Sequence, residues 1–365
     1  GWYLIEPKWG GLVVDQWEPD PARFPRGLRP ISDHARAKGV KTIVWFEPEH
    51  IWTGSWLYEN HPQWLLQPPK VPGIEQTINQ GQRLEGRYLL DLGREEARKW
   101  VFDHYAKLIK EQGIDLYRQD FNIEPLLFWR ANDAGDRQGI TEIRYIEGYL
   151  QFWDDLLALK PDLLIDTCAS GGRRIDLETL ERSVPLWRSD YAYEPIGMQC
   201  HSYGLFFWVP YFGSGALALD RYHFRSNTYP SIVLNCDARN KNLDYELMRT
   251  LLGQWREFAP DYRGDYYPLT PYATGEDAWL AWQFDRPEEG RGFIQAFRRP
   301  RNSFYGIDLE LHGLLPETAY ELTNVDTGQT LRLTGKELRE KGLPVEIPEQ
   351  PGAAVIRYHA VSLNP

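Results

Sequence analysis

The chain has 365 residues, room for one large α/β barrel and a smaller second domain. Its 41 Lys and Arg against 52 Asp and Glu give a formal net charge of −11, the wrong sign for holding a nucleic-acid backbone. Apolar residues at 42% and charged residues at 25% mark a globular chain, and no apolar run reaches the roughly 18–20 residues that a membrane span needs, so neither nucleic acid nor membrane is expected as a partner.

Residue 1 is Gly and no signal-peptide pattern follows it. This reads as a trimmed or excised start, and a cytoplasmic location is the default expectation. Residues 41–46 (KTIVWF) read as a buried strand, and residues 87–92 (RYLLDL), 114–119 (IDLYRQ) and 163–167 (LLIDT) continue the series. Residues 186–190 (LWRSD) and 231–235 (SIVLN) are further strands, with a weaker one over 213–219. Helical periodicity falls between them. Over 94–112, Ala97, Trp100, Val101, Tyr105 and Leu108 recur every three or four residues, and Gly113 suits the C-terminal cap. Residues 141–159 and 244–258 are the other long helices. Repeated βα units predict an α/β fold with a parallel sheet: a (β/α)8 TIM-type barrel over 1–271, with Gly1–Tyr3 the tail of its first strand. From about Tyr272 short strands with turn signals take over, at 278–284, 292–297, 307–311, 320–324, 330–333 and 354–358. They predict a small C-terminal antiparallel β-sandwich over 272–365. Long loops at 67–86 and 128–139 are expected to shape the pocket.

The predicted strands end in polar groups: Glu47 and Glu49, Asp91, Asp120, Cys168, Asp190. Such ends form the active face of a barrel. In Tyr117-Arg-Gln-Asp-Phe-Asn122, Asp120 is a nucleophile, a base or a metal ligand, with Arg118 and Asn122 as donors, or else a strand-end cap for the next helix. In Trp187-Arg-Ser-Asp190, Asp190 supplies a second carboxylate, as glycoside hydrolysis requires, or forms a plain surface pair with Arg188. In Cys168-Ala-Ser-Gly-Gly-Arg173 the glycines let backbone approach a ligand, and Arg173 and Arg174 suit hydroxyls or carboxylates. The spacing is not that of a phosphate loop. Cys168 has no His/Asp pair near it in sequence, so cysteine catalysis is set aside. In Trp45-Phe-Glu-Pro-Glu49, Glu47 and Glu49 can grip sugar hydroxyls or a metal, though no His stands beside them at ligand spacing. Three cysteines, far apart, give no disulfide framework, and nothing supports a bond between Cys200 and Cys236. The 15 Trp and 21 Tyr suit sugar stacking, but also an ordinary core.

These four motifs recur in order with Phe24-Pro-Arg-Gly-Leu28, Ser55-Trp-Leu-Tyr58, His61-Pro-Gln-Trp64, Leu90-Asp-Leu92, Gly264-Asp265, Tyr267-Pro-Leu269 and Gly313-Leu-Leu-Pro316. As a set they resemble the α-galactosidases of glycoside hydrolase family 36, the melibiase type, over nearly the whole chain. The resemblance implies a retaining double displacement in a (β/α)8 barrel, without cofactor or metal. It makes Asp120 the nucleophile and Asp190 the general acid/base. Trp45, Arg87, Arg118, Cys168, Gly171 and Trp187 fall where the family lines its sugar pocket. Asn122 and Arg173 belong to the same motifs, and Glu47 joins them as a hydroxyl ligand. Retention implies carboxyl groups about 5–6 Å apart, against roughly 6.5–9.5 Å for inversion. The implied partner is an α-linked galacto-oligosaccharide or glycoconjugate, and a homo-oligomer is expected because the family often forms one. Three departures stand out. Arg118 replaces the family's usual Lys, the family's acidic pair before Gly1-Trp2 lies ahead of this chain, and the family's N-terminal β-domain and most of the first barrel strand are absent. Specificity for an α-N-acetylgalactosaminide or another α-linked sugar, galactosyl transfer, and a non-catalytic carbohydrate-binding role are the alternatives. The presence of both Asp120 and Asp190 argues against the last.

Overall fold

The computed structural model describes residues 2–3, 6–8, 11–13, 16–69, 77–78, 82–83, 86–237 and 239–361. The chain forms two compact units, Gly1–Pro185 and Leu186–Pro365.

In the first unit, strand Leu116–Gln119 lies between Ile43–Phe46 and Leu164–Thr167 in a parallel sheet. The register sets Trp45 opposite Arg118 and Arg118 opposite Asp166. Side chains alternate across a strand. Tyr117 and Gln119 are therefore buried toward the helical side, where Tyr117 meets Phe152 with ring centroids 6.1 Å apart. Trp45, Arg118 and Asp166 form a row on the opposite face. The ladder runs on past the strands: Asp120 N–H donates to Phe46 O (2.8 Å) and Cys168 N–H to Gln119 O (2.8 Å). Three strand ends thus present their next residues together.

The helices follow the expected apolar stripes. Helix Glu95–Gln112 carries Glu95 and Glu96 at its positive end. It stops at Gly113, whose φ of 67° is the left-handed conformation a C-terminal cap needs. It packs against helix Ile140–Leu159, and Val101, Tyr105, Phe152 and Trp153 share one core with Phe46 and Ile165.

Two readings of this unit need correction. Residues 87–92 are not a parallel strand: Arg87–Leu90 pairs antiparallel with His50–Trp52 and Leu65–Leu66. A short apolar run fits either direction of pairing. Here the turn at Pro48 and Glu49 sends the chain straight into His50–Trp52, which takes Arg87–Leu90 as its partner. The stretch 128–139 is partly helical, since helix Leu126–Asn132 covers its start. Most of 70–85 and Gly1 of the expected first-strand tail lie outside the described residues. Tyr3 forms a single antiparallel bridge with Pro19.

In the second unit, Gly213–Ala216 and Ser231–Leu234 pair in parallel, with helices Pro195–Leu205 and Tyr245–Phe258 in the same unit. Residues 186–190 are not a strand. They run as turns and loop, tied to the neighbouring strand by Arg188 N–H to Gly213 O at 3.3 Å. Farther along, a six-stranded antiparallel sheet has the order Asp265–Pro268, Trp279–Arg286, Arg291–Arg298, Gly352–Val361, Ala319–Asn324, Thr330–Thr334. Both faces are covered. Leu309, Leu338, Leu343 and Val345 pack on one, while Phe258 and Tyr262 meet Trp282, Phe284 and Phe293 on the other. Double coverage explains why Trp279–Arg286 is buried at nearly every position rather than at alternate ones. The pair Gly306–Leu309 and Leu343–Glu346 is a separate antiparallel ribbon. Strands Asp265–Pro268 and Leu343–Glu346 escaped the sequence reading because each contains a proline, which weakens a strand pattern.

Candidate active site

In the first unit the site is built around Asp120, which is 8% exposed. Its Oδ2 accepts from Trp45 Nε1 (3.0 Å). Its Oδ1 accepts from the backbone N–H of Phe121 (2.8 Å) and of Ser170 (3.2 Å). It caps no helix, since the next one begins at Leu126. The Ser170 donor is in place because residues 168–173 fold into a tight loop: Ala169 N–H reaches Gly171 O at 3.0 Å, and Gly171 takes φ 84°. Ser170 itself sits at φ 45°, a conformation costly for a residue with a Cβ and typical of functional sites. Its hydroxyl donates to Asn122 Oδ1 at 2.9 Å.

The other expected site residues of this unit are distributed around that carboxylate. Burial works against the Arg118 cation, but the adjoining Asp166 carboxylate outweighs it and holds Arg118 above its ordinary value. Burial, then the neighbouring Asp120 charge, push the Cys168 thiol far up, so it is a neutral thiol and not a thiolate nucleophile. Glu47 Oε1 accepts from Asn122 N–H at 2.6 Å and lies 3.6 Å from His50 Nδ1. Arg87 stands over the Trp52 ring at 4.2 Å; burial lowers its value, and Glu47 opposes the shift. Arg173 is a strut. Its guanidinium donates to Glu124 Oε1 (2.7 Å), Phe121 O (2.7 Å) and Ala169 O (3.1 Å), stitching its loop to the segment after Asp120. Glu49 is buried against Arg174 and presents no free oxygen to a sugar. Among the described residues, no three or more His, Cys, Asp or Glu side chains form a cluster able to hold a metal ion.

In the second unit, Trp187 Nε1 donates to Asp190 Oδ1 at 2.8 Å, and Asp190 is exposed. The alternative, a surface pair of Arg188 with Asp190, does not form. Arg188 points into the core, where it donates to Met198 O and Ser202 Oγ, both at 3.0 Å, and lies 4.0 Å from the Tyr229 ring. Burial lowers its value, with Tyr229 opposing. The Trp187 indole rests on Gly215: a Cβ added there would lie 2.1 Å from the ring. Sequence reasoning missed Gly215 and Ser170. The small-residue run Gly213-Ser-Gly-Ala216 inside a strand was the available signal for a close approach.

A family model described as Melibiase matches residues 10–212. The chain belongs to the melibiase family. The melibiase match takes in both Asp120 and Asp190. The chain is 26% identical over 346 residues to Alpha-galactosidase 1 of Pediococcus pentosaceus, covering 87% of this chain and 45% of that protein. It shares its fold with the α-galactosidase of Lactobacillus brevis, with a TM-score of 0.83 at 20% identity over 100% of this chain and 50% of that one. A variant of the GH36 α-galactosidase AgaA from Geobacillus stearothermophilus, solved in complex with raffinose, gives a TM-score of 0.79 at 20% identity over 94% of this chain and 48% of that one. This member of the melibiase family thus spans about half the length of these relatives.

Proposed function

We propose that this protein hydrolyses terminal α-galactosides with retention, using Asp120 as nucleophile and Asp190 as general acid/base. The observation that carries the reading is the three-donor clasp on the Asp120 carboxylate, from Trp45, Phe121 and Ser170. Those donors fix the plane of the carboxylate, so it meets the anomeric carbon already oriented. In the first step an Asp120 oxygen bonds to C1 while the C1–O bond to the aglycone breaks, and Asp190 gives its proton to the leaving oxygen. In the second step Asp190 takes a proton from water, whose oxygen bonds to C1 as the ester to Asp120 breaks. Two inversions restore the α configuration, and Asp190 ends protonated as it began. The Trp187 indole orients Asp190 through both steps.

The substrate class we assign is an α-linked galacto-oligosaccharide, the class of the raffinose bound to the AgaA variant. Arg118, tethered by Asp166 in the row beside Trp45, is the hydroxyl donor nearest in character to a specificity element. The architecture assigned with this function is a (β/α)8 barrel followed by a β-sandwich, and the strand Asp265–Pro268, which pairs with Trp279–Arg286, moves the start of the sandwich ahead of residue 272. The parallel triplet of strands, the parallel pair and the antiparallel sheet support it. The test is hydrolysis of p-nitrophenyl α-D-galactoside by the wild type, Asp120→Asn and Asp190→Asn. Asp120→Asn should abolish turnover, whereas Asp190→Asn should slow natural galactosides more than the nitrophenyl one, whose leaving group needs little protonation. Wild-type turnover by Asp120→Asn would overturn the assignment.

A further inference from the structure

Beneath Asp120 lies a buried polar network whose hub is Glu49, fully buried. Glu49 Oε1 accepts from Gln119 Nε2 (2.6 Å) and Arg174 Nη1 (2.7 Å), and Oε2 from Arg174 Nη2 (2.6 Å) and Tyr145 OH (2.6 Å). A carboxylate has about four acceptor sites, and all are taken. Gln119 Oε1 in turn accepts from Tyr117 OH (2.9 Å) and Trp153 Nε1 (2.8 Å). The Arg174 guanidinium lies 4.3 Å from both the Phe121 and Tyr149 rings.

We infer that Glu49 is a positioning residue for Asp120, acting through Gln119 and Arg174; the inference rests on the nucleophilic role proposed above. Gln119 immediately precedes Asp120, and Arg174 closes the loop whose Ser170 N–H donates to Asp120 Oδ1. The start of that loop is fixed by Cys168 N–H to Gln119 O. One carboxylate therefore holds both partners of the Ser170–Asp120 bond: the strand end that carries the acceptor and the loop end that carries the donor. Arg174 also packs on Phe121, the residue after Asp120, so the nucleophile is gripped on both sides in sequence. A buried ion pair is poor evidence for stability alone, because hydrophobic replacements often hold as well. A fixed, forked geometry is what such a pair supplies and a greasy contact does not.

The test separates positioning from folding. Glu49→Gln alone strands a buried Arg174 cation and destabilises for that reason. The informative variant is Glu49→Gln with Arg174→Met. It removes both charges, keeps an amide oxygen to accept from Gln119 while the amide NH2 donates to the Tyr145 hydroxyl oxygen, and puts a flexible thioether between two rings. Rates are measured per active site, alongside the rate at which a mechanism-based α-galactosyl inactivator esterifies the nucleophile. The expected result is a fall of ~10²-fold in kcat and in the inactivation rate, with KM little changed, as for a reacting group moved by about 1 Å. Wild-type kcat and inactivation rate in the folded double variant would overturn the inference, leaving the pair a folding element. Arg174→Lys gives a second reading, since it keeps the charge and loses the fork: a reduced kcat at wild-type melting temperature is expected, and an unchanged kcat overturns the inference. A wild type that turns over no α-galactoside and takes no inactivator overturns the proposed function itself, and this inference with it.

Discussion

Gly215→Ala is the substitution that reaches Asp190 without touching it. The added Cβ would lie 2.1 Å from Cζ3 and 2.3 Å from Cη2 of Trp187. Carbon atoms rest about 3.5–4.0 Å apart, so the ring must retreat by more than 1 Å. The strand cannot give way instead, because Gly213, Ser214, Gly215 and Ala216 are all buried and Gly213 already lies against Leu186 O. A retreat of that size breaks the 2.8 Å bond from Trp187 Nε1 to Asp190. Overpacking of this kind costs about 1–3 kcal/mol of stability. Loss of orientation at a group that moves a proton costs roughly 10²-fold in rate. The assay is kcat/KM on a chromogenic α-galactoside together with the urea midpoint, with Trp187→Phe as comparator because it removes the indole N–H without pressing a new atom against the ring. Both variants should lose activity to a similar degree, and Gly215→Ala should also lower the urea midpoint. An unchanged kcat/KM in Gly215→Ala would refute the role given to the Trp187–Asp190 bond.

Two predictions concern stability in the first unit. The N–H of Gly139, then the hydroxyl and N–H of Thr141, with Arg130 nearby, hold Asp133 down at about 2. A depressed carboxylate contributes stability that is fully present above the ordinary value of about 4 and is lost as pH falls toward 2. Asp133→Asn should therefore lower the urea midpoint at pH 6, with the gap from wild type closing between about pH 4 and pH 2; a gap independent of pH would contradict the assignment. Tyr145→Phe removes a donor to the buried Glu49 carboxylate and should cost about 1.5–3 kcal/mol by chemical unfolding, the range for hydrogen bonds to charged groups. A neutral result would show that the Glu49 network tolerates a vacant acceptor site.

What the sequence discloses depends on the range of the interaction. The strands Ile43–Phe46, Leu116–Gln119 and Leu164–Thr167 are apolar runs between periodic helices, and local pattern is enough to find them. Pairing direction is not local, which is why Arg87–Leu90 read as part of the parallel series although a turn at Pro48 had already supplied its antiparallel partner. Trp187-Arg-Ser-Asp190 read as a strand, but Arg188 turns inward to Met198 and Ser202, and the segment runs as turns. Among site residues, Asp120 was visible as a charge at the end of an apolar run. Its clasp was not, because Ser170 lies fifty residues away and acts through backbone. Glu49 read as a ligand for sugar hydroxyls or a metal and Arg174 as a partner for hydroxyls or carboxylates; that the carboxylate is Glu49 could not be read, since the two lie 125 residues apart.

The stereochemistry of the first product tests double displacement more directly than any rate. The wild type is incubated with a chromogenic α-D-galactoside, and the anomeric proton of released galactose is followed by NMR before mutarotation. α-Galactose as the first-formed sugar, with no release by Asp120→Asn, is the predicted result, because attack by Asp120 and then by water inverts C1 twice. First-formed β-galactose would mean a single displacement by water, and would remove Asp120 from its role as nucleophile.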